Sequence, residues 1–109
     1  MPSITDFANF DIRVGRIAAV DEHTAARKPM YKLTVEFGGE IGARTVIAGI
    51  MDRYSKEELA GKKAVFIVNL DPKNIAGVES QGMLLAAEDG ATVSVLVPDR
   101  DVAIGSKIH

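Results

Sequence analysis

Apolar and polar residues alternate most cleanly in Tyr31-Lys32-Leu33-Thr34-Val35-Glu36-Phe37, with apolar side chains at odd positions and polar ones at even positions. A period of two predicts a strand with one face inward and with Lys32, Thr34 and Glu36 on the other. Gly38-Gly39 ends it. Ile12 to Val20 reads as an earlier strand whose alternation slips at Gly15-Arg16, which predicts a bulge or sharp bend. Arg44 to Ile50, β-branched at Thr45, Val46 and Ile47, is the strand that follows. Lys63 to Leu70 is apolar on both parities, as expected of a strand covered on both faces. Asp71-Pro72-Lys73-Asn74 predicts a turn. Gly82 to Ala87 and Thr92 to Val97 predict two more strands, hinged at Glu88-Asp89-Gly90. Ala103 to Ile108 predicts a last extended piece.

Two short segments carry helix signals instead. Ser3-Ile4-Thr5-Asp6-Phe7 has Ser3 or Thr5 as N-cap and Asp6 in the first turn. Ser55 and Glu58 have capping-box spacing, and Gly61 is placed to end that helix. Three strands, a short helix, a fourth strand and further strands fit a small closed barrel. The expected class is therefore all-β. It is a five-stranded OB-fold barrel with a short helix between strands 3 and 4, an N-terminal helical turn and C-terminal strands. A generic β-sandwich is the alternative. At 109 residues the chain makes one domain.

Composition removes several chemistries. With no Cys there is neither a disulfide framework nor a thiolate metal site. His23 and His109 are far apart in sequence, and no His/carboxylate spacing suggests zinc, so no metal or cofactor is expected. No apolar run reaches the roughly 20 residues of a membrane span, and MPSITDFANFD lacks the regions of a signal peptide. A soluble, cytoplasmic protein without a membrane partner is the expectation. GGEIGAR follows a strand but opens no helix and has no P-loop lysine. Ser80 lies in no nucleophile elbow, and nothing argues for an enclosed pair of catalytic carboxylates. An enzyme is not expected.

The formal net charge of −2 does not advertise nucleic-acid binding, but its distribution does more. Residues 27–73 balance at +3, between an N-terminal stretch at −2 and a C-terminal one at −3. A basic middle can form a locally positive surface on an acidic protein, or can simply be solvated charge.

Several segments resemble one family in order along nearly the whole chain. They are FDIRVGRI (10–17), VIAGI (46–50), YSKEELAGK (54–62), VFIVNLDPKNIAGVESQGMLLAA (65–87) and VPDRDVAIGSKIH (97–109). They are similar to the tRNA-binding domain family, which includes stand-alone tRNA-binding proteins and the C-terminal extension or β subunit of methionyl-tRNA synthetase. AARKPMYKLTVEFGGEIGAR (25–44) instead resembles CsaA-type proteins, secretion-related chaperones of the same family. Other branches have a His-Pro-x-Ala-Asp-Lys-Leu-Tyr motif here; this chain keeps His23 and Ala26 but departs from it at Thr24, Arg27, Pro29 and Met30. The chain is a mosaic of the two signatures.

The resemblance implies an OB-fold homodimer that recognises tRNA by shape, at the outer corner of its L, with little reading of sequence. Lys32, Arg53, Lys73 and also Arg44 would then reach phosphates. Asn69, Ser80 and Gln81 would bond riboses or base edges, and Met83 would supply a soft apolar platform. Ile4, Phe7 and Phe10 would build the dimer interface. Each residue has a plainer reading. Lys32 is a solvated strand residue, Arg53 a surface charge, Asn69 the cap of the turn before Pro72, and Met83 core filler. Ser80 and Gln81 satisfy loop backbone groups, and the N-terminal apolar residues pack into their own barrel. The function expected is a non-catalytic tRNA-binding homodimer, alone or beside a methionyl-tRNA synthetase. The alternative is a CsaA-like export chaperone that binds unfolded preprotein.

Overall fold

The computed structural model describes residues 1–109. Along the chain it forms α1 (Ile4–Ala8), β1 (Ile12–His23), β2 (Met30–Glu36), β3 (Ala43–Ala48), α2 (Lys56–Leu59) and β4 (Lys63–Ile67). These are followed by β5 (Lys73–Ile75), β6 (Val78–Ser80), β7 (Met83–Leu84), β8 (Ala86–Asp89) and β9 (Thr92–Val95). Five strands make one curled antiparallel sheet in the order β3-β2-β1-β4-β7. That order, with α2 between the third and fourth strands, is OB-like.

The long strand β1 allows the sheet to curl. It pairs with β4 along Ile12 to Arg16 and with β2 along Arg16 to His23. The C-terminal tail covers its start: Gly105 N–H donates to Val14 O (2.7 Å), Val14 N–H to Ser106 O (2.9 Å) and Ile108 N–H to Ile12 O (2.8 Å). The expected bulge exists two residues later than the pattern implies, between Ile17 and Ala19. Gly15 has a different role. A Cβ there would lie 2.6 Å from both Phe37 Cε1 and Val35 Cγ1, so its missing side chain lets the core close over β1.

Inside the curl, Ile17, Leu33, Val35, Val46, Leu59 and Phe66 are fully buried. Phe37 and Phe66 meet edge to face, with ring centroids 5.5 Å apart. The odd positions of β2 point into this core as the alternation requires. Both helices have capping boxes: the predicted one at Ser55/Glu58, and one at Ser3/Asp6 where the sequence predicts only an N-cap, Ser3 rather than Thr5 being that cap. Helix α1 has no buried residue, so Ile4, Phe7 and Phe10 do not pack into their own barrel.

Several boundaries differ from the pattern. β1 runs on to His23, β3 and β9 stop two residues early at Ala48 and Val95, and the piece from Ala103 to Ile108 turns at Ile104-Gly105. Three further differences shape the site. Strand β4 stops at Ile67, because Val68 N–H turns to Asp11 O (2.8 Å). Asp71 to Asn74 is not a turn; Lys73–Ile75 and Val78–Ser80 pair as a hairpin. Its tight turn is Ala76-Gly77, both at positive φ (50° and 89°), as a two-residue primed turn demands. The segment from Gly82 to Ala87 divides at Leu85, whose N–H donates to Val65 O (3.0 Å).

Candidate nucleic-acid interface

The sheet closes on itself between β3 and the chain around Gln81, and side chains make that closure. Gln81 N–H donates to Thr45 O (2.8 Å), and Thr45 N–H donates back to Gln81 Oε1 (2.9 Å). Ile47 N–H donates to Ser80 Oγ (3.0 Å), and the same hydroxyl donates to Gly82 O (3.2 Å). Ser80 is only 6% exposed. The free edge of β3 is thus satisfied by one amide and one hydroxyl standing in for a partner strand. Arg44 reinforces the seam, donating to Val68 O and to Gln81 O.

The binding face of an OB-like barrel is the outer side of strands 2 and 3, between the 1–2 and 4–5 loops. Here those loops are residues 24–29 and the segment from Val68 to Gly82 that carries the β5–β6 hairpin. His23 ties them together. It is 8% exposed, lies opposite Met30 in the β1–β2 register, and its Nε2 bonds Ile75 O at 2.8 Å. Spacing along the chain assigns His23 no role. Its place in the His-Pro-type motif of other branches is the signal that points to this role.

Between hairpin and sheet lies a cavity of about 230 Å³. Ile47, Leu70, Ile75 and Met83 form its walls, Ser80 and Gly82 its floor, and Asp71 and Lys73 its polar rim. Leu70 and Met83 remain more than a third exposed, so its mouth is apolar. Lys32 is the cross-strand neighbour of Ile47 and stands beside this mouth on the outer face.

The candidate residues therefore divide. Lys32, Lys73 and Met83 come together around the cavity. Ser80 and Gln81 are adjacent, but their bonds go to β3. Asn69 accepts from Asp11 N–H (2.8 Å) and donates to Asn9 O (2.8 Å), which holds the start of β1 rather than capping the turn before Pro72. Arg53 does not join the cluster: it donates to Ala91 O (2.8 Å) and lies 3.6 Å from the Asp52 carboxylate.

The basic middle sorts in the same way. Arg44 and Arg53 are used as described, Lys56 pairs with Glu22, Lys63 with Asp101, and Lys62 lies over the Tyr54 ring. Arg27, Lys28, Lys32 and Lys73 carry no side-chain hydrogen bond or ion pair, and all four belong to the outer face or its two loops. Asp21, opposite Lys32, forms no ion pair with it. No group of three or more His, Cys, Asp or Glu side chains is placed to hold a metal.

An OB-like barrel with an apolar cavity and four unpartnered cations on one face and its loops defines a class: a small all-β module with a cationic face. The chain belongs to the family described as "Putative tRNA binding domain", whose model matches residues 12–107. A methionine–tRNA ligase of Methanococcus maripaludis is 50% identical over 103 residues, covering 94% of this chain and 15% of that protein. The corresponding ligase of Pyrococcus furiosus is 46% identical over 107 residues, covering 98% of this chain and 14% of its own length. The chain thus spans about one seventh of these curated relatives. Among solved structures, the CsaA chaperone protein of Picrophilus torridus superposes with a TM-score of 0.94 at 41% identity, covering all of both chains. A MetRS-related protein of Pyrococcus horikoshii superposes at 0.89 with 37% identity, covering 100% of this chain and 98% of that one. Both signatures read from the sequence are present among its relatives.

Proposed function

We propose that the chain is a non-catalytic tRNA-binding module, homodimeric and cytoplasmic, acting alone or beside a methionyl-tRNA synthetase. The observation that carries this reading is an apolar cavity with Lys73 on its rim and Lys32 beside its wall residue Ile47, with the unpartnered Arg27 and Lys28 in the β1–β2 loop, in a chain of the tRNA-binding domain family. Lysines on a barrel face meet phosphates at positions fixed by the fold of the RNA, so they read shape and not sequence. In this reading Lys32 and Lys73 bind phosphates and Met83 packs against a sugar or base. Ser80, Gln81 and Asn69 act as positioning residues that hold the face in shape, and Arg53 acts by fixing the β8–β9 turn.

The dimer reading rests on α1. Ile4, Phe7 and Phe10 are 83%, 41% and 44% exposed, and with Ile108 they line a groove of about 350 Å³. An apolar patch of this kind on a small protein is supportive of a subunit contact, and a dimer doubles a weak RNA contact through effective concentration. Sedimentation of the protein and of Phe7→Asp tests it: a dimer that dissociates in the variant is expected, and a monomeric parent chain refutes it.

The primary test is a gel shift of tRNA across salt concentrations. Binding at low salt that weakens as salt rises is expected, with a shallower dependence for Lys73→Ala. If no complex forms at low salt, the reading is wrong. A second reading, a CsaA-like chaperone, is favoured by the superposition on the CsaA protein over the full length of both chains. Suppression of aggregation of a denatured client would support it; aggregation equal with and without the protein would remove it.

A further inference from the structure

We infer that the cavity between the β5–β6 hairpin and β3 is a pocket for a single unstacked nucleobase, held by its faces and not read by its edges. The inference rests on the tRNA-binding reading and specifies what that site takes. Size is the first argument. At about 230 Å³ the cavity is smaller than the ~300–1,000 Å³ typical of pockets for drug-sized ligands, so it accommodates one planar ring system. The walls are the second. Ile47 and Ile75 from the sheet and hairpin, with Leu70 and Met83 at the mouth, offer aliphatic and thioether surfaces to the faces of a ring.

The floor is the third argument, and it sets the character of the recognition. Ser80 Oγ would be the natural group to read a base edge. It is already occupied at both functions, accepting from Ile47 N–H and donating to Gly82 O. No unspent hydrogen-bonding side chain lies at the bottom of the pocket, so a base is captured without being identified. The polar groups at the rim, Lys73 and Asp71, lie where the sugar–phosphate of an everted nucleotide would leave the pocket.

An apolar peptide side chain is the rival occupant, and two observations weigh against it. Extended peptides gain affinity by pairing with a free strand edge, and the β3 edge beside the cavity is consumed by Ser80 and Gln81. The surroundings are also cationic. Lys32 flanks Ile47, Lys73 lines the rim, and Arg27 and Lys28 stand in the loop that His23 clips to the hairpin. Asp21, Asp71 and Glu79 are the unpaired acidic residues of the same region, fewer than the unpaired cations, because Glu22 is matched by Lys56. A partner that presents flat apolar rings on a polyanionic chain matches both features.

The experiment is methyl NMR on the intact chain, titrated with unfractionated tRNA, with a fully paired RNA duplex and with an apolar peptide. A base inserted into the cavity places its ring current on the methyls of Met83, Ile75 and Ile47. Upfield shifts of these signals with tRNA, and their absence with the paired duplex, are expected. Leu70→Ala and Met83→Ala, both at exposed positions, should weaken tRNA binding about tenfold and leave its salt dependence unchanged, whereas Lys73→Ala should flatten that dependence. If tRNA binds and the cavity methyls do not move, the base pocket is refuted while the tRNA-binding reading stands. The base pocket is refuted in the same way if the peptide shifts those methyls and tRNA does not. If tRNA does not bind in the gel shift at all, both fall together.

Discussion

Replacing Ser80 by Ala removes one oxygen and leaves one buried donor without an acceptor. Ile47 N–H lies 3.0 Å from that oxygen, in a strand residue only 9% exposed. A buried, unsatisfied amide costs about 1–3 kcal/mol. A domain of this size is stable by about 5–15 kcal/mol, so the variant should stay folded but weakened. With a urea m-value of about 1–3 kcal/mol/M, the unfolding midpoint should fall by about 1 M at an unchanged slope. Gln81 supplies the internal control. Gln81→Glu keeps an oxygen for Thr45 N–H and should cost little, whereas Gln81→Leu loses the acceptor and should lower the midpoint, by less than Ser80→Ala because Thr45 is only half-buried. Hydrogen exchange locates the effect: protection should drop first at the Ile47 amide. A Ser80→Ala protein with an unchanged midpoint and a protected Ile47 amide would refute the seam made by these side chains.

Three further outcomes follow from the packing and charge of the fold. Gly15→Ala places a methyl 2.6 Å from Phe37 and Val35 and should destabilise by about 1–3 kcal/mol in the same urea melts. Ala76→Asn puts a residue tolerant of positive φ at a position held at 50°, before Gly77, and should raise the thermal midpoint by the equivalent of about 0.5–1 kcal/mol. Three carboxylates have lowered pKa values in the folded state: Asp11 through its hydrogen bond from Arg13, Glu58 through the Ser55 backbone N–H, and Asp101 through Lys63. Their stabilisation is complete above the ordinary values of 3.8 and 4.5 and is lost as pH falls through the folded values. Acid titration should therefore show a flat urea midpoint above about pH 5 and a decline below it, reduced in Glu58→Gln.

Local periodicity carries the elements whose partners are close in sequence or whose faces are uniform. β2 alternates because one side meets the core, and the capping boxes at Ser3 and Ser55 close within one turn. The hairpin at Lys73 to Ser80 is hidden because Asp-Pro-Lys-Asn carries strong turn chemistry, while the actual turn, Ala76-Gly77, carries an alanine where a primed turn favours Asn or Asp. The polar cluster at Glu79-Ser80-Gln81 is visible in the sequence, but its partners are not. Thr45 and Ile47 lie 36 and 33 positions away, and no local pattern fixes that register. Lys32, Lys73 and Met83 stand out by residue type alone. That they surround one cavity depends on the His23 clip between loops 52 residues apart.

The arrangement also explains how an acidic chain can present a binding face for an anion. The formal charge of −2 is an average over the surface, and five of the 13 Lys and Arg side chains are matched to carboxylates: Arg13 to Asp11, Arg16 to Glu36, Arg53 to Asp52, Lys56 to Glu22 and Lys63 to Asp101. Of the cations without a side-chain hydrogen bond or carboxylate partner, Arg27, Lys28, Lys32 and Lys73 belong to the outer face or its two loops, and Arg100 and Lys107 to the segment after β9. This bounds the salt dependence. Each phosphate neutralised contributes a slope of about −0.9 in log K against log salt at the charge density of a duplex, so four cations give about −4 per protomer at most. A dimer that engages one tRNA with both faces would reach about −7, and Lys32→Ala with Lys73→Ala should halve either value. A slope much steeper than these limits would mean that matched residues such as Lys63 leave their carboxylates on binding. Asp101→Asn, which removes the carboxylate that competes for Lys63, would then tighten binding, whereas a face of fixed, unmatched cations leaves affinity and slope unchanged by that substitution.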